Sequence, residues 1–366
     1  MAVIVWVLLV LVVLYQLQWF AYRRFGLRAV AYDRSFSASR VFAGDTVWLS
    51  ETIANRKRLP LPWLRVETLM PAQLVFKHQE ADTSINRGDQ LQNHASLFSI
   101  PSYTEIVRKH EVICPQRGCY TVSSYTITIG DMIGRQVRSE ARTPAASELI
   151  VYPKLLSFQE LPLAARQYVY SVRSMLSPIR EDHYHVAGTR PYREGDSFRL
   201  VNWSATAKTG ELLVHRRESM CDNDLTLLVN AEMLDHANNR RISAEQFERA
   251  LSYAASAAHY LIAGGGKAGL IYNGTVTGHA DSVFRLPVKG GAAHLDAILE
   301  AMARFEPVTR LSMNYLLERL IAERVRGLNV LFVTAFIDAA QEALVAQLRR
   351  AGNAVEVLLF YKEAAA

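Results

Sequence analysis

The chain has 366 residues, of which 50% are hydrophobic and 21% charged, with 41 Lys and Arg against 35 Asp and Glu for a formal net charge of +6. This balance is globular and excludes a disordered or low-complexity chain; the arginines are dispersed, without a basic block or aromatic platform, which favours an anionic lipid surface over nucleic acid as the counterpart of the charge. The 3 cysteines, Cys114, Cys119 and Cys221, are too few for a disulfide scaffold and match no zinc module.

Residues 1–24 read as a transmembrane anchor. Ala2 to Tyr15 is unbroken apolar sequence, and the run continues through Trp19, Phe20 and Tyr22 to Arg23, Arg24 and Arg28. About 20 helical residues cover the ~30 Å hydrocarbon layer, with aromatic residues at its boundary. The charge bias predicts a single-pass protein of the cell membrane, with its N-terminus outside and its body cytoplasmic. A cleaved signal peptide carries its positive charge before the apolar run. Here the order is reversed, although Ala29-Val30-Ala31 resembles a cleavage site, and we read a retained anchor.

Residues 35–143 show short alternating runs with turn punctuation, including Thr46–Ile53, Ala95–Ile100, Tyr103–Ile113 and Tyr120–Ile129, which predict an immunoglobulin-like β-sandwich. Polar Gln79–Gln92 reads as a loop. Cys114 and Cys119 flank Pro-Gln-Arg-Gly, which reads as a hairpin loop able to place the thiols opposite each other; in a cytoplasmic body they stay reduced. Residues 149–220 open on a short strand, Leu149–Tyr152, and contain a helix near Ala164–Ser174. Residues 221–366 alternate strands (Leu225–Asn230, Ala268–Tyr272, Val330–Thr334, Ala354–Tyr361) with helices (Ser243–Ala263, Ala292–Ala303, Ser312–Val325, Asp338–Ala351). Ser282–Val288 reads as an antiparallel neighbour after a turn at Gly274–Gly278. This is the pattern of an α/β domain with a mainly parallel sheet.

The most distinctive run is Gly188 to Val214 (GTRPYREGDSFRLVNWSATAKTGELLV). Glu194-Gly195-Asp196 reads as a turn, with Asp196 or Ser197 capping a short helix that ends at Thr209-Gly210. Arg190, Arg193, Arg199 and Asp196 can form an ion network with Trp203 packed beneath. The run resembles the signature of the family known as domain of unknown function 58 (DUF58), approximately G-x-R-x-Y-x-x-G-D-x-x-R-x-x-x-W-x-x-x-A. Gly188, Arg190, Tyr192, Gly195, Asp196, Arg199, Trp203 and Ala207 stand at its fixed positions. Arg117-Gly118-Cys119-Tyr120 and Asp131-Met132-Ile133-Gly134 resemble two further family elements, with Met132 and Ile133 in place of Pro-Phe. Members often begin with two membrane helices; one is read here.

The resemblance implies a β domain followed by the signature and a von Willebrand A-like (Rossmann-type) domain. It also implies partnership with a MoxR-type AAA+ ATPase and with other von Willebrand A-like or transglutaminase-like proteins, in assembly or activation of other complexes. It brings no established catalytic activity. A von Willebrand A domain commonly holds Mg²⁺ through Asp-x-Ser-x-Ser after its first strand, with later Thr and Asp ligands. Here Asn230, Glu232 and Leu234 replace the first three, and Thr334-Ala335 supplies a hydroxyl without a carboxylate, so no metal is expected. Gly264-Gly265-Gly266-Lys267 lies between a helix and the next strand, the wrong order for a phosphate loop, and reads as a helix C-terminal turn.

We therefore expect a membrane-anchored, non-enzymatic adaptor without cofactor, in which the signature residues organise a structural or docking surface. Two alternatives stand beside it. One is a hydrolase-like enzyme using Glu181, Asp182, His183 and His185. The other is an extracytoplasmic binding protein, which a Cys114–Cys119 disulfide would favour.

Overall fold

A long apolar run buries its backbone polarity only by hydrogen-bonding within itself, and residues Ala2–Phe25 do so as helix α1. In the computed structural model the described residues are 2–77, 83–88, 90–144, 147–174, 189–192, 201–215, 224–235, 240–279 and 283–361. They divide into two units, Met1–Lys154 and Leu155–Ala366. Val3–Phe25 is long and apolar enough to cross a membrane, and its most apolar stretch is unburied.

The first unit continues with strands β1 (Val30–Phe36), β2 (Arg40–Phe42), β3 (Thr46–Asn55), β4 (Leu61–Pro71), β5 (Val75–Phe76) and β6 (Thr83–Arg87). Strands β7 (Leu91–Ile100), β8 (Thr104–Ile113), β9 (Gly118–Val122), β10 (Tyr125–Gly130), β11 (Gln136–Arg142) and β12 (Ser147–Tyr152) complete it. They form sheets in the orders β1-β3-β8-β5, β11-β10-β4-β7-β6 and β2-β12-β9. Period-two burial along β3 points its apolar residues inward. Ile53 from the first sheet meets Leu64, Val66, Phe98, Ile127 and Ile129 from the second, as in a sandwich. A second cluster joins Leu49 and Val112 to Tyr120, Leu149 and Val151 of the third sheet.

The end of α1 and the residues just after it belong to this core: Tyr22 and Leu27 are buried in it. Gly26 lies so close to Ile129 that a Cβ there would collide with that side chain and with the Tyr22 carbonyl. Residues 29–31, which resemble a cleavage site, lead into β1, where Val30 is buried.

Three expectations change in this unit. Within Gln79–Gln92, Thr83–Arg87 is not a loop but edge strand β6, paired with β7. A polar strand survives at a sheet edge because only one of its sides is laddered. Cys114 and Cys119 do not flank a hairpin, since β8 pairs with β3 whereas β9 pairs with β12. The Cys114 N–H bonds Asp45 O and its carbonyl accepts from Gly44, after which Pro115, lacking an N–H, cannot extend the ladder. Both cysteines are thiols. Leu149–Tyr152, placed by sequence at the head of the signature region, is the middle of the third sheet.

The second unit contains α2 (Leu163–Ser174), β13 (Thr189–Pro191), α3 (Trp203–Thr209) and β14 (Leu213–His215). Then follow β15 (Asp224–Val229), β16 (Leu234–Asp235), β17 (Arg240–Arg241), α4 (Ala244–Ala263), β18 (Lys267–Tyr272), β19 (Gly274–Val276) and β20 (Phe284–Lys289). Helix α5 (Ala292–Ala303), β21 (Phe305–Thr309), α6 (Met313–Ala322), β22 (Asn329–Thr334), α7 (Ala339–Arg350) and β23 (Ala354–Leu359) close it.

The main sheet has the order β20-β18-β15-β22-β23, parallel except for β20 at one edge. β15 and β22 read as continuous apolar runs because both faces are covered. Leu228, Val330 and Phe332 pack against α6 and α7. Helix α4 lays small residues, among them Ala250, Ala254 and Ala258, on the sheet and starts at a Ser243–Gln246 capping box. It ends at Gly264, and Gly265 follows at φ +87°, a turn that favours glycine. Lys267 pairs with Asp224 at 3.5 Å rather than facing a phosphate loop. Gly274–Val276, read as turn, forms the short strand β19 against β21.

Candidate functional site

In an open parallel sheet the chain reverses direction of travel at one strand, and a crevice opens beyond the carboxyl ends there. That strand is β15, with β18 and β22 on its two sides. Three polar residues stand at the three strand ends: Asn230 after β15, Asn273 after β18 and Thr334 at the end of β22, all 0–1% exposed.

Their hydrogen bonds interlock. Asn273 Oδ1 accepts the Ala231 N–H at 2.7 Å, and its Nδ2 donates to Asn230 Oδ1 and to the Leu311 carbonyl, both at 3.0 Å. Thr334 Oγ1 donates to the Phe336 carbonyl at 2.7 Å, which leaves it accepting from Asn230 Nδ2 at 3.1 Å. Glu232 closes the arrangement. Its Oε1 accepts the Met313 N–H at 2.8 Å, in the first turn of α6, where the helix dipole favours a carboxylate. Its Oε2 accepts from Asn230 Nδ2 and Gln341 Nε2, each at 3.3 Å.

This chemistry does not fit a divalent cation. Hard cations need converging oxygen donors, whereas Asn230 and Gln341 turn N–H groups toward the Glu232 carboxylate. Both Glu232 oxygens are engaged, and Leu234 brings no donor atom. Ala335 follows Thr334 without a carboxylate. Among the described residues no group of three or more His, Cys, Asp and Glu could hold a metal ion.

Beside Glu232 lies a cleft of about 750 Å³, with Arg241, Arg310, Asn314, Asp338 and Gln341 among its lining and Met233, Leu311 and Phe336 as apolar wall. Two acceptors in that lining are buried and have no hydrogen-bond partner among the described residues, Gln341 Oε1 and Asn314 Oδ1. Such atoms are costly to bury unpaired. Rotating the Gln341 amide does not relieve it, because its oxygen would then face Glu232. The hydroxyls in the lining are spoken for by backbone: Thr309 donates to the Ala231 carbonyl and Ser312 caps α6. Among the described residues no base activates either one.

The signature positions are brought together only in part. Arg190 of β13 pairs with Val214 of β14, and the Tyr192 N–H bonds the Leu212 carbonyl at 2.8 Å. Trp203 begins α3 and is 63% exposed, and the ion network expected above it lies outside the described residues. The cap of α3 is Asn202, whose side chain accepts the Ala205 N–H at 3.0 Å. Ala207 is exposed on the same helix. Gly188, Arg193, Gly195, Asp196, Ser197, Arg199, the Arg190 side chain, the Glu181–His185 cluster and Cys221 lie outside the described residues.

Sequence reading missed Asn273 and Gln341. Asn273 carried a usable signal, since it directly follows a buried strand, as Asn230 does. Gln341 carried none: it meets Glu232 across 109 residues.

A second polar cluster, also missed, is buried in the β unit. Glu51 of β3 accepts from Tyr32 Oη at 2.7 Å and Ser96 Oγ at 2.8 Å, and lies 3.1 Å from His110 Nε2. His94 Nδ1 is 3.8 Å away and its ring stacks on Phe76. Burial by itself would raise the Glu51 carboxyl; the His110 hydrogen bond, the His94 charge and the Tyr32 hydroxyl bring it down to about 2. Burial pushes His94 down to about 4, and burial, reinforced by Glu51, raises the Tyr32 hydroxyl. Ser96 donates to a carboxylate instead of a histidine, and Glu51, Ser96 and both histidines are at most 3% exposed. The cluster ties β1, β3 and β8 of one sheet to β7 of the other.

Comparison with known proteins places residues 188–362 in a match to the family "Protein of unknown function DUF58". The chain is similar to "Uncharacterized protein YeaD" of Bacillus subtilis (strain 168), 27% identical over 286 residues that make up 76% of this chain and 64% of that protein. Among solved structures, the non-cellulosomal cohesin of the archaeon Archaeoglobus fulgidus matches at TM-score 0.24 and 11% identity, over 36% of this chain and 93% of that one. The major pilin SpaD of Corynebacterium diphtheriae matches at TM-score 0.26 and 8% identity, over 32% and 35%.

Proposed function

We propose that this chain is a membrane-anchored, non-enzymatic interaction protein whose α/β unit is a metal-free, von Willebrand A-like docking module. The supporting sheet is mainly parallel, with an antiparallel edge strand and helices on both faces. The observation that carries the docking reading is the cleft beyond β15 and β22. Among the described residues its central carboxylate is already satisfied, its hydroxyls lack a base, and Gln341 Oε1 and Asn314 Oδ1 await N–H donors. A polypeptide segment supplies such donors together with a carbonyl for Arg241. The resemblance to the DUF58 family suggests a MoxR-type AAA+ ATPase as the partner that brings it, in assembly or activation of other complexes. Arg23, Arg24 and Arg28 support a cytoplasmic body, and the β unit is taken as immunoglobulin-like.

The test is affinity capture of the full chain from gently solubilised membranes with ATP hydrolysis blocked, beside Asn314→Leu. Among the described residues the Asn314 oxygen makes no bond to lose, so the variant keeps its melting temperature and loses the ATPase. Equal recovery of partner with both chains overturns the cleft as the docking site. Recovery of no ATPase with the wild-type chain overturns the partner.

A further inference from the structure

The β10–β11 hairpin runs down the side of α1, fastened to the helix at two levels and, at a third, to the segment that leads from it into β1. Arg142 donates from Nη1 to the Val30 carbonyl at 3.0 Å and from Nη2 to that of Leu27 at 3.4 Å. Farther along the helix, Arg138 Nη1 reaches the Arg23 carbonyl at 3.4 Å. At the hairpin tip, Tyr15 Oη donates to Asp131 Oδ2 at 3.2 Å, and Arg135 Nη1 lies 3.5 Å from the same hydroxyl. The Asp131 carboxylate is fully buried and also accepts the N–H groups of Ile133 and Arg135, at 3.1 and 2.8 Å. What this tied-down turn holds outward is Met132 and Ile133, 66% and 75% exposed.

The level of the tip follows from helix geometry. Tyr15 precedes Arg23 by eight residues, ~12 Å along the axis. The apolar span Val3–Phe25 has 23 residues, and about 20 are needed to cross the hydrocarbon layer, so the level of Tyr15 falls inside that layer. Arg23, Arg24 and Arg28 mark the boundary: all are exposed, and their guanidiniums lie over the rings of Trp19 and Phe25.

We propose that Met132 and Ile133 insert among the acyl chains of the leaflet adjoining the β unit, as a second membrane contact beside α1. Exposed Arg23, Arg24, Arg28 and Arg138 meet anionic headgroups above them. The inference rests on the membrane-anchored reading but not on which side of the membrane the body lies. It gives the β unit a fixed stance against the bilayer, because the contact comes from a hairpin bonded to the anchor along its length.

The test uses the full chain with its three cysteines replaced and single cysteines introduced by Met132→Cys, Ile133→Cys, Tyr103→Cys or Leu11→Cys, each carrying an environment-sensitive fluorophore. The protein is reconstituted in phosphatidylcholine–phosphatidylglycerol vesicles with doxyl groups near the top of the acyl chains. Labels at 132, 133 and 11 are expected to emit at shorter wavelength and lose most of their fluorescence to the doxyl lipid. The label at 103, on another exposed turn, stays iodide-accessible. A quenched label at 11 with iodide-accessible labels at 132 and 133 overturns the proposal and leaves the anchor standing. Labels at 132 and 133 that escape both quenchers show a protein cover instead of lipid and overturn it equally. An unquenched label at 11 sinks the anchor reading and the proposal together. Should the cysteine replacements unfold the chain, the wild-type protein answers the same question. A phospholipid bearing a photoreactive acyl chain should crosslink the tryptic peptide Gly118–Arg135, and absence of that adduct beside labelled α1 overturns the insertion.

Discussion

Replacing Glu51 by Gln tests whether the buried carboxylate, rather than apolar packing alone, holds the two main sheets of the β unit together. The amide keeps the volume but offers one acceptor where Tyr32, Ser96 and His110 converge on two oxygens, and it withdraws the charge that strengthens those bonds. Hydrogen bonds to ionised groups contribute about 1.5–3 kcal/mol each, and the three act as a set, so we expect a loss of about 3 kcal/mol. At 2–4 °C per kcal/mol for a unit of this size, that is a fall of roughly 6–12 °C in melting temperature. The pH profile gives a second readout. His94 stays neutral in the folded chain down to about 4, against an ordinary value of 6.5. Between these values the unfolded chain binds a proton that the folded chain refuses, so stability falls as the pH is lowered from 6.5 to 4. Glu51 titrates near 2 when folded, against 4.5 ordinarily, so its stabilisation is complete above 4.5 and is lost as the pH falls toward 2. Each gap corresponds to roughly 3 kcal/mol at most, and the total is smaller because a protonated His94 gains from the Glu51 charge. The assay is thermal unfolding of the full chain in mild detergent from pH 7 to 3, with the transition of the β unit identified as the one E51Q moves. The variant loses the Glu51 part of the acid slope and keeps the His94 part. A wild-type transition that is flat from pH 7 to 4, or an E51Q chain melting with the wild type, would refute the argument.

Asn230→Asp turns the donor facing Glu232 into a second carboxylate; the chain is expected to lose about 1–3 kcal/mol and to regain part of it in Mg²⁺, whereas the wild type gains nothing. Equal Mg²⁺ effects on the two melting curves would contradict the amide network as drawn. Cys114 is buried, and burial with the nearby Asp45 charge pushes its thiol up to about 11, from 9.0. At neutral pH this leaves ~100-fold less thiolate than an unshifted thiol. Maleimide should therefore reach half-buried Cys119 well before Cys114, as followed by peptide mass spectrometry, and equal rates would count against the burial.

Local patterns made most of the α/β unit readable. Strands buried on both faces announce themselves as apolar runs, and helices α4, α6 and α7 begin at Ser243, Ser312 and Asp338, whose side chains accept a backbone N–H in the first turn. What escaped is what depends on distant partners. The edge strand β6 has too little apolar sequence to stand out from a loop. The segment Cys114–Cys119 looks like a hairpin until its flanking strands choose different sheets. In the signature run, Asp196 and Ser197 look like caps for the helix that ends at Thr209, yet the cap of α3 is Asn202. For the cleft, Asn230 and Glu232 were legible as substitutions in an expected metal site and Thr334 as its hydroxyl, but not that the amides and carboxylate would lock one another. The Glu51 cluster draws on four strands, and none of its residues stands in a motif.

The way α1 joins the β unit bears on how this protein can be handled and regulated. Tyr22 and Leu27 are interior residues of the sandwich, and Lys57 Nζ binds the Gly26 carbonyl at 2.8 Å. A truncation after Phe25, the obvious route to a soluble fragment, therefore excises a piece of the core and leaves an apolar hole where Tyr22 sat. The same continuity means that cleavage at this point releases a β unit stripped of a core side chain and correspondingly less stable than the intact chain.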